Sequence, residues 1–424
     1  MSNVKEINLG YVDHLRRLNQ GAKGASSPDD NSAPRSLRLR FGLWRYAVLN
    51  NMLLPAFTAV GVVTLGLTLA IWLRVYLLIK RDKTSELTHS ALDSVDEFLT
   101  QYPFHLYPIV CKAFELACLG RQIPELLKQQ TRCVEIAIGE GTLSSRVFPK
   151  DATVVGLDLS PYSLKKASEK AHVKRAVVCD CLAPPVREGS FDVLIANNFL
   201  HHVTRKEETL ARWSRIAAKA VFNENSPTWA SGWPRPYVLR KLGRKGKAEQ
   251  AADAIEKMSL QSLEPKQRLD EYVSKSYEVD ECVSYMSERT FFYCGLFSWM
   301  MRCYGPPTPA KMKNLFLTKL RWLALPLSAD LAKLLIRYDQ HQDRSTDSFI
   351  SYLCTSKNYV AAPAGSYLAC ADCQQQLNET NRCAGCGKEY SYTDGMLFLL
   401  PEALKDLQQG YNYELSLQTP KEHL

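Results

Sequence analysis

Apolar and polar positions follow three different rhythms along this chain. From Tyr46 to Leu73 no residue is charged, and Leu53–Leu73 is almost wholly apolar. About 20 such residues suffice to cross a bilayer as a helix. Trp44, Tyr46, Trp72 and Tyr76 flank the run as interfacial aromatics would. Between residues 84 and 130, Leu92, Val95, Leu99, Val110, Phe114 and Leu119 keep a helical spacing. From residue 131 the rhythm changes to short apolar runs separated by turns and helical stretches. Cys133–Ile138, Thr153–Leu157, Val177–Cys181, Phe191–Asn197, Ala220–Phe222 and Phe349–Cys354 predict strands, with helices after the first glycine turn and around Glu207–Ala218. Such alternation predicts the α/β class, a doubly wound and mainly parallel sheet.

The chemistry sits at the ends of those strands. The first breaks at Gly139-Glu140-Gly141, where glycines let the backbone turn sharply and approach a ligand. The second ends at Asp158, an acid placed to bond a ribose diol. The third ends in Asp180-Cys181 and the fourth in Asn197. This ordered set resembles the class I S-adenosylmethionine-dependent methyltransferases, of the type 11 kind, with their Rossmann-like sheet. A nicotinamide dehydrogenase would carry a third glycine where Ser144 stands. The family pattern acid-x-Gly-x-Gly-x-Gly reads Glu135-x-Ala137-x-Gly139-x-Gly141 here, with Ala137 in place of the first glycine. The resemblance implies S-adenosylmethionine as cofactor, with Glu135 as the motif's acid and Gly139 and Gly141 beneath the methionine part. It puts Asp158 on the ribose, Asp180 and Cys181 beside the adenine, and Asn197 beside the sulfonium.

After the fourth strand come His201 and His202, whose titration near neutrality makes either a candidate base; packing is the alternative. A long helical insertion is expected from Asn223 to Ser348. Its run Arg235–Lys247 holds six cations and no acid, which suits a solvated face, an anionic headgroup, or a nucleic-acid phosphate. Phe291–Met301 is uncharged but too short to span a bilayer, and Ala310–Lys333 mixes apolar residues with Lys and Arg. Both suit a lid with a greasy inner face, an interfacial helix, or plain core.

Near the end, Cys370-x-x-Cys373 and Cys383-x-x-Cys386 offer four thiolates, the tetrahedral set that zinc prefers; disulfides are the alternative. With the following Tyr390, Asp394-Gly395 and Leu399-Leu400, these knuckles resemble the small zinc-ribbon proteins that activate tRNA and protein methyltransferases. Ser391 and Leu397 stand where that family often has proline. The resemblance implies a structural zinc ion (Zn2+) and a ribbon fused to its own methyltransferase.

Composition adds compartment and partners. Hydrophobic residues at 46% and charged residues at 23% exclude global disorder. Residues 1–45 carry eight Lys/Arg against four acids, a basic solvated tail of net charge +4. Cations flank the apolar span almost equally, so charge does not orient it. Thirteen cysteines suit a reducing compartment. The expected organisation is a tail (1–45), a transmembrane helix with its flank (46–83), helices (84–130), a cofactor-binding core (131–222), an insertion (223–348), a last core strand (349–360), a zinc ribbon (366–402) and a tail (403–424). The expected protein is single-pass, its catalytic domain facing the cytoplasm and its acceptor a lipidic or membrane-associated small molecule. A tRNA or protein acceptor, or a non-catalytic scaffold, are the competing readings; membrane lipid is favoured over nucleic acid as partner.

Overall fold

A computed structural model describes, apart from short breaks, residues 85–127, 132–224, 266–302, 328–342 and 349–405, with isolated positions between 66 and 77 and residue 408. The described strands are β1 (Arg132–Ile136), β2 (Thr153–Asp158), β3 (Val173–Cys179), β4 (Phe191–Asn197), β5 (Ala217–Glu224), β6 (Tyr277–Tyr285), β7 (Phe349–Ser356), β8 (Tyr392–Thr393) and β9 (Met396–Leu399). They join in a single sheet of order β6-β7-β5-β4-β1-β2-β3-β9-β8. Strands β1 to β5 are parallel, and β7 runs antiparallel between β5 and β6. The central strands bury both faces, as Cys133 on one side and Val134 and Ile136 on the other illustrate, which is why they read as continuous apolar runs.

Helices cover both faces. One core lies under α1 (Glu86–Asp93), α2 (Val95–Leu99), α3 (Leu106–Leu126), α8 (Glu288–Arg302) and α9 (residues 328–339). The opposite core takes in Trp213 of α6 (Lys206–Trp213) and Leu269 and Val273 of α7 (Lys266–Ser276). Short α4 (Ser144–Val147) follows the glycine turn, and α5 (Pro161–Ser168) follows β2. The ends obey local rules: Ser160 caps α5 by accepting from the Ser163 N–H at 3.3 Å, with Pro161 in the first turn. Buried Asp339 of α9 caps α8 from outside, accepting from the Met286 N–H (2.8 Å), the Ser287 N–H (2.6 Å) and the Thr290 hydroxyl (2.6 Å).

Two expectations are corrected here. The segment 223–348 is not wholly a helical insertion, because β6 within it closes one edge of the sheet. β6 carries exposed Glu278 and Asp280 and half-exposed Glu281, so apolar alternation is missing; acids on an edge strand discourage pairing with a second chain. Of the readings open for the apolar runs, core holds for their described parts: Phe291, Cys294 and Phe297 on α8, and Leu331, Ala332, Leu335 and Ile336 on α9, are buried against α3 and the sheet, while residues 310–327 lie outside the described residues. Finally, the single-pass membrane placement is overturned: among the described residues no helix is long and apolar enough to cross a membrane. Most of Leu53–Leu73, like the basic run Arg235–Lys247, lies outside the described residues.

The ribbon is not a separate body either. β9 pairs in parallel with β3 (Val177 with Leu397, Cys179 with Leu399), so the sheet does not end at the strand that begins with Phe349. The Arg175 guanidinium of β3 lies over the Tyr367 and Tyr392 rings, 5.7 and 6.0 Å from their centroids, and donates to Asn381 Oδ1 at 2.7 Å. Lys165 of α5 pairs with Asp394 at 2.5 Å.

Candidate functional site

The carboxyl ends of β1, β2 and β4 meet at the glycine turn. Ala137, Gly139 and Gly141 all take positive φ, at 53°, 57° and 62°. A Cβ on Gly139 would meet nothing within 4 Å, so the turn leaves open space at that point; one on Gly141 would touch Ala167 at 3.4 Å. Asp158 ties the turn to β2, accepting from the Gly139 N–H and the Ser160 N–H at 2.8 Å each. Burial raises its carboxyl above the usual range, and these N–H groups hold it partly back. Of these three turn residues, only Ala137 meets the left-handed conformation with a side chain, at about 1–2 kcal/mol. Ala137→Gly should therefore raise stability by about 0.5–1 kcal/mol, after the unfolded chain's added entropy is subtracted. Denaturant unfolding checks this; a loss of stability would mean that the alanine methyl packs usefully.

Glu135 lies behind the turn, 5% exposed, with Oε2 lacking a partner among the described residues. Burial pushes its carboxyl up to about 8, the Ser144 hydroxyl draws it partly back, and the Asp158 charge pushes it further up. An orphaned buried carboxylate oxygen beside a turn with open space fits the ammonium and methionine part of S-adenosylmethionine, with Asp158 for the ribose. When bound, that cofactor supplies an electrophilic methyl group on a sulfonium.

The other expected residues are placed as follows. Asp180, just past β3, accepts from the Leu182 N–H at 2.9 Å, and burial raises its carboxyl. Cys181 is buried beneath the turn beside Cys179; the Cys179 thiol, followed by burial, holds its own thiol well above the usual range. Asn197 closes β4, half-buried, with Oδ1 unpartnered among the described residues. His201 sits in a short 3-10 turn with its ring and its N–H both on one carboxylate: Nδ1 lies 2.5 Å from Glu224 Oε1, and the N–H donates to Oε2 at 3.3 Å. Both side chains are almost fully buried. The His202 ring lies 4.1 Å from that of His201 and 6.2 Å from that of Phe199.

Sequence reasoning missed the groups that surround these tips. Glu115 on α3 is 1% exposed and accepts from Asn198 Nδ2 (2.7 Å), Lys112 Nζ (2.7 Å) and the Cys111 thiol (3.1 Å). Asn198 itself has φ 53° and donates its N–H to the Asn223 carbonyl at 2.7 Å. Gln122 and Asn223 are buried nearby, bonded to Ser351 and Tyr285. A signal was available: Glu115 and Gln122 fall on the buried stripe of α3 among apolar residues, and Asn223-Glu224 end a strand in polar residues.

The cysteines form a second centre. The sulfurs of Cys370, Cys373, Cys383 and Cys386 all lie within 4.8 Å of one another. The closest pairs, Cys373–Cys383 at 3.3 Å and Cys370–Cys386 at 3.6 Å, are far from the 2 Å of a disulfide. Gly385 and Cys386 direct their N–H groups at Cys383 Sγ, at 3.3 and 3.4 Å, which favours the thiolate; the Cys386 N–H above all holds that thiol down to about 6. Four soft donors in this arrangement fit zinc. They stand behind the loop Asp180–Arg187, since the Ala369 N–H donates to the Pro185 carbonyl and the Arg187 N–H to the Tyr367 carbonyl, both at 2.9 Å.

Comparison with known proteins agrees with this geometry. A family model described as "Methyltransferase domain" matches residues 134–220. An uncharacterized methyltransferase of Geobacillus thermodenitrificans is 31% identical over 100 residues, 22% of this chain and 46% of the relative. A second, from Geobacillus sp. (strain WCH70), is 30% identical over 89 residues, 20% and 42% of the two chains. The chain thus spans less than half the length of these curated relatives. Among solved structures, geranyl diphosphate C-methyltransferase from Streptomyces coelicolor is similar at 14% identity and TM-score 0.36, covering 57% of this chain and 79% of that one. The parallel strands β1 to β5, a glycine turn tied to an acid at the end of β2, and the family match over the same strands identify residues 134–220 as a methyltransferase domain.

Proposed function

We propose that the chain transfers the methyl group of S-adenosylmethionine to a hydroxyl of a small, largely apolar molecule, and that His201 accepts the proton that leaves. The observation that carries this is the buried His201–Glu224 pair at the ends of β4 and β5. A carboxylate on Nδ1 fixes the tautomer, so the basic lone pair stays on Nε2. The same carboxylate accepts the His201 N–H, which holds the ring in place. A proton removed from an acceptor hydroxyl would pass to Nε2 as its oxygen forms a bond to the methyl carbon. The C–S bond breaks with its electron pair left on sulfur. Alignment supplies much of such a rate, and the base the remainder.

A base this deeply enclosed is reached by a molecule that enters the protein, which favours a small acceptor over tRNA or protein. Apolar groups such as Phe199, Leu200 and Val203, which flank the histidine, suit an apolar body. The ribbon's likeness to activators of tRNA enzymes weighs less, because its strand is spent on the chain's own sheet.

Labelled S-adenosylmethionine incubated with protein and fractionated cell extract should place label in a low-mass, organic-soluble fraction. Label confined to RNA or protein would retire the small-molecule reading. His201→Gln should slow transfer about 10²-fold or more, without weakening S-adenosylhomocysteine binding, and should remove the acidic limb of the pH–rate profile.

A further inference from the structure

We propose that Gln122 and Asn223 recognise an oxygen atom of the acceptor, and that the acceptor is a neutral molecule bearing a carbonyl besides the hydroxyl to be methylated. This rests on the methyl-transfer reading above and specifies its substrate class.

The inner stripe of α3 runs Cys111, Glu115, Cys118, Gln122, at helical spacing and wholly buried. Glu115 is satisfied by its three donors. Gln122 is not: its Oε1 accepts from the Ser351 hydroxyl at 2.8 Å, while its Nε2 has no partner among the described residues. Asn223 repeats the arrangement, Oδ1 accepting from the Tyr285 hydroxyl at 3.1 Å and Nδ2 unpartnered. Burial keeps the Tyr285 phenol protonated, with the Glu115 charge adding to the effect, so it remains a donor. In both pairs the amide oxygen faces the hydroxyl and the NH2 group turns away from it. Both amides are at most 2% exposed, and buried donors are seldom left unpaired in native folds.

Their placement points to the reaction centre. Asn223 is the register partner of Asn197 on one side and of Ser351, which holds Gln122, on the other. The two NH2 groups thus lie one to two strands from the tip where the sulfonium is expected, at about 5 Å per strand. NH2 groups bind a carbonyl oxygen. A carboxylate is disfavoured, because both cations of this helix stretch are already paired: Arg121, next to Gln122, with Glu281 of β6, and Lys112, about 15 Å along the axis, with Glu115. The surrounding Val221, Phe349 and half-buried Val283 and Leu353 suit an apolar frame between the two oxygens.

The test compares 4-hydroxyacetophenone with 4-ethylphenol, which has nearly the same shape without the carbonyl, binding to the full chain saturated with S-adenosylhomocysteine. Calorimetry should find the ketone bound about tenfold or more tightly. In the double variant Gln122→Met, Ser351→Ala the preference should shrink, with S-adenosylhomocysteine affinity unchanged and thermal stability equal or higher, because an unpaired donor has been replaced by apolar volume. Equal binding of the two phenols to the unaltered protein, binding of neither, or an undiminished preference in the variant would each overturn the proposal and leave the methyl-transfer reading standing. Failure of folded protein to bind S-adenosylhomocysteine would instead remove that reading, and this one with it.

Discussion

Cys383→Ser should abolish zinc binding by the four-cysteine cluster and, with it, most of the chain's affinity for S-adenosylmethionine. Metal binding in small knuckles is itself folding free energy, because the thiolates converge only in the folded state. In this chain the ribbon's order should also be the order of the loop expected to flank the cofactor's adenine. Leu368, Leu377, Cys383 and Tyr390 share one core with Cys179, Cys181 and Val186, and β9 holds the edge of β3. Without the metal, the segment Tyr367–Ala369 loses its anchor, and the loop Asp180–Arg187 loses the two backbone bonds made to it. A tenfold or greater fall in cofactor affinity is expected, about 1.4 kcal/mol or more. Metal analysis should find about one zinc per chain before the change and none after it. Cys282→Ser, at an exposed cysteine of β6 outside the cluster, should change neither. Zinc-free, folded protein with full cofactor affinity would show that the loop keeps its order without the metal.

Cofactor binding should also strengthen with pH between about 6 and 8, by up to tenfold per unit, and then level off. The cause is Glu135, whose carboxyl burial pushes up to about 8, so that at neutral pH it is largely protonated. A methionine ammonium favours the ionised form, so binding near pH 7 should release a proton. Calorimetry in buffers of different ionisation enthalpy reads that release directly. Glu135→Gln should bind more weakly at pH 8 and show no such slope; a slope that survives the change would place the titration elsewhere. The sign for stability is opposite. A carboxyl raised in the folded state costs nothing below the unfolded pKa near 4.5 and penalises folding progressively as pH rises to about 8. The unliganded protein should lose stability over that window, at up to about 1.4 kcal/mol per pH unit. Glu135→Gln should flatten that loss.

The strands from Cys133 to Phe222 were legible because each is buried on both faces and so reads as an unbroken apolar run between turn residues. β6 was not, because an edge strand buries little and this one is acidic along its exposed part. The apolar stretches around Phe291 and Leu331 were legible as apolar, with core only one of three readings, since hydrophobicity records the need for burial and not the partner. The strand between Met396 and Leu399 was visible only as part of a ribbon; its pairing with β3 joins residues 220 positions apart, as Val177 with Leu397 shows.

The sequence by itself determined the α/β alternation, the glycine turn with Glu135 and Asp158, and the four cysteines at knuckle spacing, because each is local: a period, a turn or a short interval. Tertiary structure alone decided which buried polar groups surround the site. Glu224 reaches His201 across β5, while Glu115, Gln122, Asn223 and Ser351 come from one helix and two strands. No interval in the chain encodes their meeting, which follows from strand order and from the face of α3 turned to the sheet. Bringing distant polar groups together at low dielectric is what tertiary packing adds to a local pattern.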